Sequence, residues 1–170
     1  MSKKVVFIVA QQNFRDEELL QPKEILNQRG VEVKIAARTK NKAVGKLGTE
    51  IQPDLALAEI KARDFDAIIF IGGRGASEYL QDQAVFKLIN EFRLADKIIG
   101  AICLGPLILA NAGILISKTV TATPTVEDDL RNKGADYTGM QVEIDGKIVT
   151  AKDPTAAREF GEKLAYILEE

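Results

Sequence analysis

The sequence predicts a single α/β domain on a mostly parallel sheet, and three observations lead there. Short, continuously apolar runs alternate with stretches of helical period along nearly the whole chain. Such runs read as strands buried on both faces, as in parallel sheets covered by helices and joined by right-handed crossovers. One of them, Lys97 to Ile102, breaks directly into Cys103-Leu104-Gly105-Pro106, a tight strand-to-helix turn.

The elements follow in order. Lys4 to Ala10 is a strand, Gln11 to Arg15 is irregular, and a helix begins at Asp16 and ends at Gly30. Val31 to Ala36 alternates as a second strand, completing a βαβ opening. Between Thr39 and Pro53, Gly45 and Gly48 suggest short strands or a hairpin, and Leu55 to Ile60 a short helix. Asp66 to Ile71 is a third buried strand ending in Gly72-Gly73-Arg74-Gly75, followed by a helix over Asp82 to Ala95. After the fourth strand and its cysteine turn, a helix runs to about Gly113. Thr119 to Ala122 is a strand, and Pro124 precedes a helix over Val126 to Lys133. Val142 to Ile144 and Ile148 to Ala151 form a hairpin across Asp145-Gly146, and Pro154 to Leu168 closes the chain as a helix.

Composition narrows the function. With 170 residues, 46% hydrophobic and 28% charged, the chain suits one folded domain. Its 23 basic and 25 acidic residues leave a formal charge of −2 without a basic block, which argues against nucleic acid as a partner. Val5 to Ala10 is too short for a signal peptide's apolar region or a membrane span, so a cytoplasmic protein without membrane contact is expected. One cysteine and no histidine exclude an internal disulfide, histidine-bearing dyads and triads, and histidine-ligated zinc; neither metal nor cofactor is expected. A carboxylate must take the place of the usual histidine base.

In an elbow of this kind the residues two before and two after the nucleophile must be small, and Ala101 and Gly105 occupy those places. A buried structural cysteine is the plainer reading of Cys103. The following helix favours a functional thiol, since its free N–H groups and macrodipole are expected to lower the pKa. Glu18, in the first turn of the first helix, is the candidate proton partner; by position alone Asp16 or Glu17 fits a helix N-terminus equally well. Gly72 to Gly75 lacks the spacing of a nucleotide-binding loop, leaving a tight turn or an oxyanion hole formed by the Gly73 and Leu104 amides.

These residues resemble the ThiJ/PfpI superfamily, which groups Parkinsonism-associated deglycase-like proteins with intracellular peptidase-like ones. The resemblance rests on Phe14-Arg15-Asp16-Glu17-Glu18, Ile71-Gly72-Gly73-Arg74 and Ala101-Ile102-Cys103-Leu104-Gly105-Pro106, and covers nearly the whole chain. It implies a flavodoxin-like three-layer sandwich with a cysteine nucleophile elbow, commonly a homodimer or higher oligomer. It also implies Cys103 as nucleophile, Glu18 as its proton partner and the Gly73 and Leu104 amides as oxyanion donors. A substrate pocket of Phe14, Arg74, Thr123 and Pro124 is expected. Peptidase-like members carry histidine directly after the cysteine, where this chain has Leu104. Deglycase-like members often carry one after the next strand, where it has Thr123 before Pro124. The leading expectation is therefore a cofactor-independent glyoxalase or deglycase acting on methylglyoxal or related small carbonyls through a Cys103 hemithioacetal. A redox-sensing or chaperone-like stress protein is the alternative, and a cysteine peptidase or amidase the third reading.

Overall fold

In the computed structural model, which describes residues 2–170, the first apolar run becomes β1 (Lys4–Ile8). Its side chains alternate between the faces of a sheet, Val5 and Phe7 entering one core and Val6 and Ile8 the other. The chain then forms β2 (Gln12–Phe14), where irregular structure was expected, and α1 (Asp16–Gln28). Gly30, at φ +78°, ends that helix in the left-handed conformation glycine adopts freely, and β3 (Glu32–Ala37) follows.

The expected hairpin between Thr39 and Pro53 is β4 (Ala43–Gly45) against β5 (Glu50–Ile51), and β2 joins it to make a small three-stranded sheet. The helix expected over Leu55 to Ile60 is instead β6 (Leu55–Ala56) and a single 3-10 turn. Asp54 explains the difference. Its amide donates to the Ile35 carbonyl and its carboxylate accepts from the Ile35 amide, which draws the segment onto the sheet edge beside β3.

Next come β7 (Ala67–Phe70) and α2 (Gln83–Leu94), capped by Asp82, whose carboxylate accepts from the amides of Ala84 and Val85. β8 (Ile98–Ile102) runs into α3 (Gly105–Asn111). The strand expected from Thr119 shortens to β9 (Thr119–Val120), which pairs across α4 (Glu127–Asn132) with β10 (Asp136–Tyr137), a strand too short to leave a pattern. β11 (Val142–Asp145) and β12 (Ile148–Ala151) form the expected antiparallel hairpin, and α5 (Ala157–Glu169) closes the chain after a turn at Pro154.

The seven-stranded sheet has the order β11-β12-β8-β7-β1-β3-β6 and is parallel except for β11. α1 and α5 cover one face, while α2, α3 and α4 cover the other, giving the three-layer flavodoxin-like sandwich. The chain winds from β1 through β3 to one edge and then from β7 through β8 to the other. The crevice at that switch point, outside the carboxyl ends of the strands, is where such sheets bind ligands. Among the described residues no helix is long and apolar enough to cross a membrane.

α1 packs tightly on α5 at Gly161, where an added Cβ would lie 2.9 Å from the Pro22 Cα and 3.0 Å from the Ile25 Cδ1. Gly161→Val should therefore destabilise the fold by about 1–3 kcal/mol despite better helix propensity, read as a lower urea midpoint with unchanged slope.

Candidate active site

Four adjacent strands, β12, β8, β7 and β1, deliver their carboxyl ends to one place. The elbow sits on β8. Cys103 has φ +65°, a conformation that costs a non-glycine residue on the order of 1 kcal/mol. Two hydrogen bonds hold it there: its amide donates to the Ala151 carbonyl and its carbonyl accepts from the Thr123 amide, each at 3.0 Å. A Cβ on Gly105 would lie 2.7 Å from the Phe70 carbonyl oxygen and 3.1 Å from the Ala101 Cβ. Here the small residues flanking the cysteine have the steric cause anticipated from sequence.

The three acids that open α1 serve three purposes. Asp16, only 3% exposed, accepts from the amides of Leu47 at 2.8 Å and Thr49 at 3.0 Å and so pins the β4–β5 hairpin. Burial opposes its charge, but these amides and the Thr49 hydroxyl prevail and hold the carboxyl below its usual range. Glu17 binds the Arg15 guanidinium at 2.8 Å. Glu18 is fully buried and turns inward, where its Oε1 accepts from the Gly72 amide at 2.9 Å.

Glu18 and Cys103 meet across Gly72. A Cβ on that glycine would stand 2.7 Å from Glu18 Oε1, 2.8 Å from the Cys103 Cβ and 2.6 Å from the Ile102 carbonyl oxygen. Only glycine leaves room for the pair. Glu18 Oε2 is buried without a hydrogen-bond partner, and the thiol lies close enough to the carboxyl for each to shift the other's titration. The amides of Gly73 and Leu104 lie near enough to the Cys103 sulfur to favour its thiolate.

Burial raises Glu18 to about 8, against the lowering effects of Cys103, the Gly72 amide and Arg15. The expected low-pKa thiol is corrected. Burial, followed by the charge and hydrogen bonding of Glu18, pushes Cys103 up to about 12, outweighing the Gly73 and Leu104 amides. α3, with seven residues, offers little macrodipole against this. Below about pH 8 the carboxyl holds a proton, so the charge repelling the thiolate is absent. The pair then gives up its first proton as a unit and keeps one negative charge between sulfur and carboxyl oxygens.

Above Cys103 opens a cavity of about 390 Å³. Asn13 reaches it from β2 and Arg15 from the junction of β2 with α1, Gly73 and Arg74 from the loop after β7, and Cys103 and Leu104 from the elbow. Thr123 and Thr125, Pro154 after β12, and Lys46 from the hairpin complete the lining. Two expected pocket residues are elsewhere. Phe14 is fully buried in the core on the α1 side, because β2 pairing turns it inward, and Pro124 faces solvent at the start of a 3-10 turn.

A sequence model described as the DJ-1/PfpI family matches residues 3–166. The chain belongs to that family. An uncharacterized protein of Methanocaldococcus jannaschii is 37% identical over 98% of this chain and 82% of its own length. A Thermococcus kodakarensis protein named as a deglycase is 32% identical over 88% of this chain and 90% of its own. The crystal structure of a ThiJ/PfpI domain protein from Brachyspira murdochii superposes with a TM-score of 0.96 at 32% identity, covering 99% of this chain and 97% of that one.

Sequence reasoning missed Lys46 and Pro154 as site residues. Lys46 lies in an exposed turn between Gly45 and Leu47, and long-range bonds bring it to the cavity: its own amide donates to the Phe14 carbonyl at 2.9 Å, and Asp16 holds Leu47 and Thr49. Pro154 follows a strand read as half of a hairpin; that strand is also parallel to β8, so its end points at the site.

Asp16→Ala removes two charge-assisted bonds and should cost about 2–4 kcal/mol in urea at neutral pH. The difference should shrink in acid, because a depressed carboxyl stabilises the fold above its unfolded value and loses that contribution as pH falls through the folded one. Glu18 has the opposite sign. With a folded value near 8 against an ordinary 4.5, it costs stability as pH rises between the two. Glu18→Gln should thus match the wild type near pH 4.5 and exceed it by about 2–4 kcal/mol at pH 8, seen as a widening gap in Tm.

Proposed function

We propose that this protein is a cofactor-independent glyoxalase- or deglycase-type enzyme acting on methylglyoxal or related small carbonyls and their adducts. One observation carries the reading: a buried carboxyl that is neutral at physiological pH faces a thiol on a strained elbow, at the floor of an open cavity. The deglycase name borne by the Thermococcus kodakarensis relative supports the same class.

The pair supplies both partners of a carbonyl addition. Once it has lost one proton, Cys103 sulfur attacks the aldehyde carbon and Glu18 gives its proton to the carbonyl oxygen, forming a hemithioacetal. Meanwhile the Gly73 and Leu104 amides stabilise the developing oxyanion. Glu18, now a carboxylate, removes the hydrogen on that carbon, and the second carbonyl oxygen takes up a proton to give an enediol. Proton return to the neighbouring carbon yields a thioester on Cys103. Water cleaves it, releasing a 2-hydroxy acid, lactate from methylglyoxal, and restoring the thiol. The sum is one dicarbonyl plus one water to one hydroxy acid, with no external oxidant or reductant.

Burial suits Glu18 to this double role, since a carboxyl titrating near neutrality can both give and take a proton. Thr123 lines the cavity where related proteins often carry histidine, and its hydroxyl can pass a proton between the substrate oxygens.

Lactate formation from methylglyoxal by purified protein tests the reading. Cys103→Ala should abolish turnover, and Glu18→Gln should lower kcat by about 10²–10⁴, with both variants folded by circular dichroism. Because the pair must lose one proton, kcat/KM should climb with pH and level off above about 8. Equal activity in all three proteins would refute the reading.

A further inference from the structure

The cavity wall is more basic than the chain. The whole sequence has a formal charge of −2, yet Arg15, Lys46 and Arg74 line the cavity and no carboxylate does. Arg15 is already matched, holding Glu17 through three hydrogen bonds of 2.8–3.2 Å. Among the described residues neither Lys46 nor Arg74 forms an ion pair. Both are exposed, so they stand at the rim, while Cys103 and the Gly73 and Leu104 amides form the floor.

The cavity therefore has two chemically different ends. Its floor accepts a carbonyl. Its rim presents two cations without an ion-pair partner, Lys46 from the β4–β5 hairpin and Arg74 from the loop after β7, whose fields add over the cavity mouth. A three-carbon dicarbonyl with no charge fills only part of about 390 Å³ and leaves both cations facing water. The fold also invests in the position of Lys46, since the buried Asp16 carboxylate ties down the neighbouring Leu47.

We propose that the preferred substrate is a 2-oxoaldehyde carrying its own anionic group, carboxylate or phosphate, with the aldehyde at Cys103 and the anion held by Lys46 and Arg74. This rests on the reading of Cys103 as the carbonyl acceptor. The reaction balances as before: R–CO–CHO and water give R–CHOH–COOH, and the anionic group on R takes no part in bond making.

The test compares three probes of similar size: neutral 2-oxopentanal, the carboxylate 4,5-dioxopentanoate, and 3-phosphooxy-2-oxopropanal. In low salt, kcat/KM for the better anion should exceed that for the neutral compound by about tenfold or more, and salt near 0.3 M should narrow the ratio. A Lys46→Gln/Arg74→Gln double variant should bring it to within about twofold; both sites are exposed, so its Tm should stay close to wild type. Whichever anion leads identifies the group. Comparable kcat/KM for neutral and anionic probes, unchanged by salt and by the double variant, overturns this inference and leaves the proposed reaction standing. If no probe is turned over, the reaction fails and protection of Cys103 from iodoacetamide decides: protection by the anionic compounds at tenfold lower concentration than by 2-oxopentanal upholds the rim as an anion receptor, and equal protection overturns it.

Discussion

A carboxyl group excluded from water has to be either neutral or well solvated by the protein, and the site is organised around how Glu18 meets that requirement. One oxygen takes the Gly72 amide and the other is left without a hydrogen-bond partner, so burial keeps the proton on the acid up to about pH 8. The thiol opposite is thereby spared a fixed negative neighbour through the physiological range. Were Glu18 hydrated, it would ionise near 4.5 and repel a thiolate instead of sharing a proton with it.

The backbone makes this arrangement possible. Cys103 faces Glu18 from a left-handed backbone, Gly72 must lack a side chain where the two meet, and Gly105 must lack one where α3 passes the Phe70 carbonyl. Each condition is local, but all are enforced by the register of β7 and β8, which pairs Phe70 with Ala101 and so sets the two loops side by side. Strain at the cysteine is countered by hydrogen bonds from two further segments, through Ala151 and Thr123. The elbow is thus held from β12 and from the loop after β9 as well as by its own strand.

Much of this was legible in the sequence because it depends on short-range pattern. Buried strands left continuous apolar runs, and the elbow left its small residues and Pro106 in fixed places around Cys103. Long-range pairing left less. Asp54 draws the chain into an edge strand through Ile35, nineteen residues earlier, overriding a local helical pattern. Phe14, expected in the substrate pocket, is turned into the core by pairing of β2 with β4. The thiol's acidity was misjudged for a related reason: a helix N-terminus is visible in sequence, whereas the degree of burial that outweighs it is not.

The run Asp16-Glu17-Glu18 reads as three interchangeable acids, but the helix sends them in three directions: to a hairpin, to an arginine and to a thiol. Successive helical residues differ by roughly 100° in direction. Inserting or deleting a single residue just before α1 would therefore rotate the whole set, pointing the wrong acid at Cys103 and leaving the hairpin untethered. The spacing between Phe14 and Glu18 is thus a phase as well as a distance, and a lineage that drifts by one residue there loses the site while keeping every side chain in it.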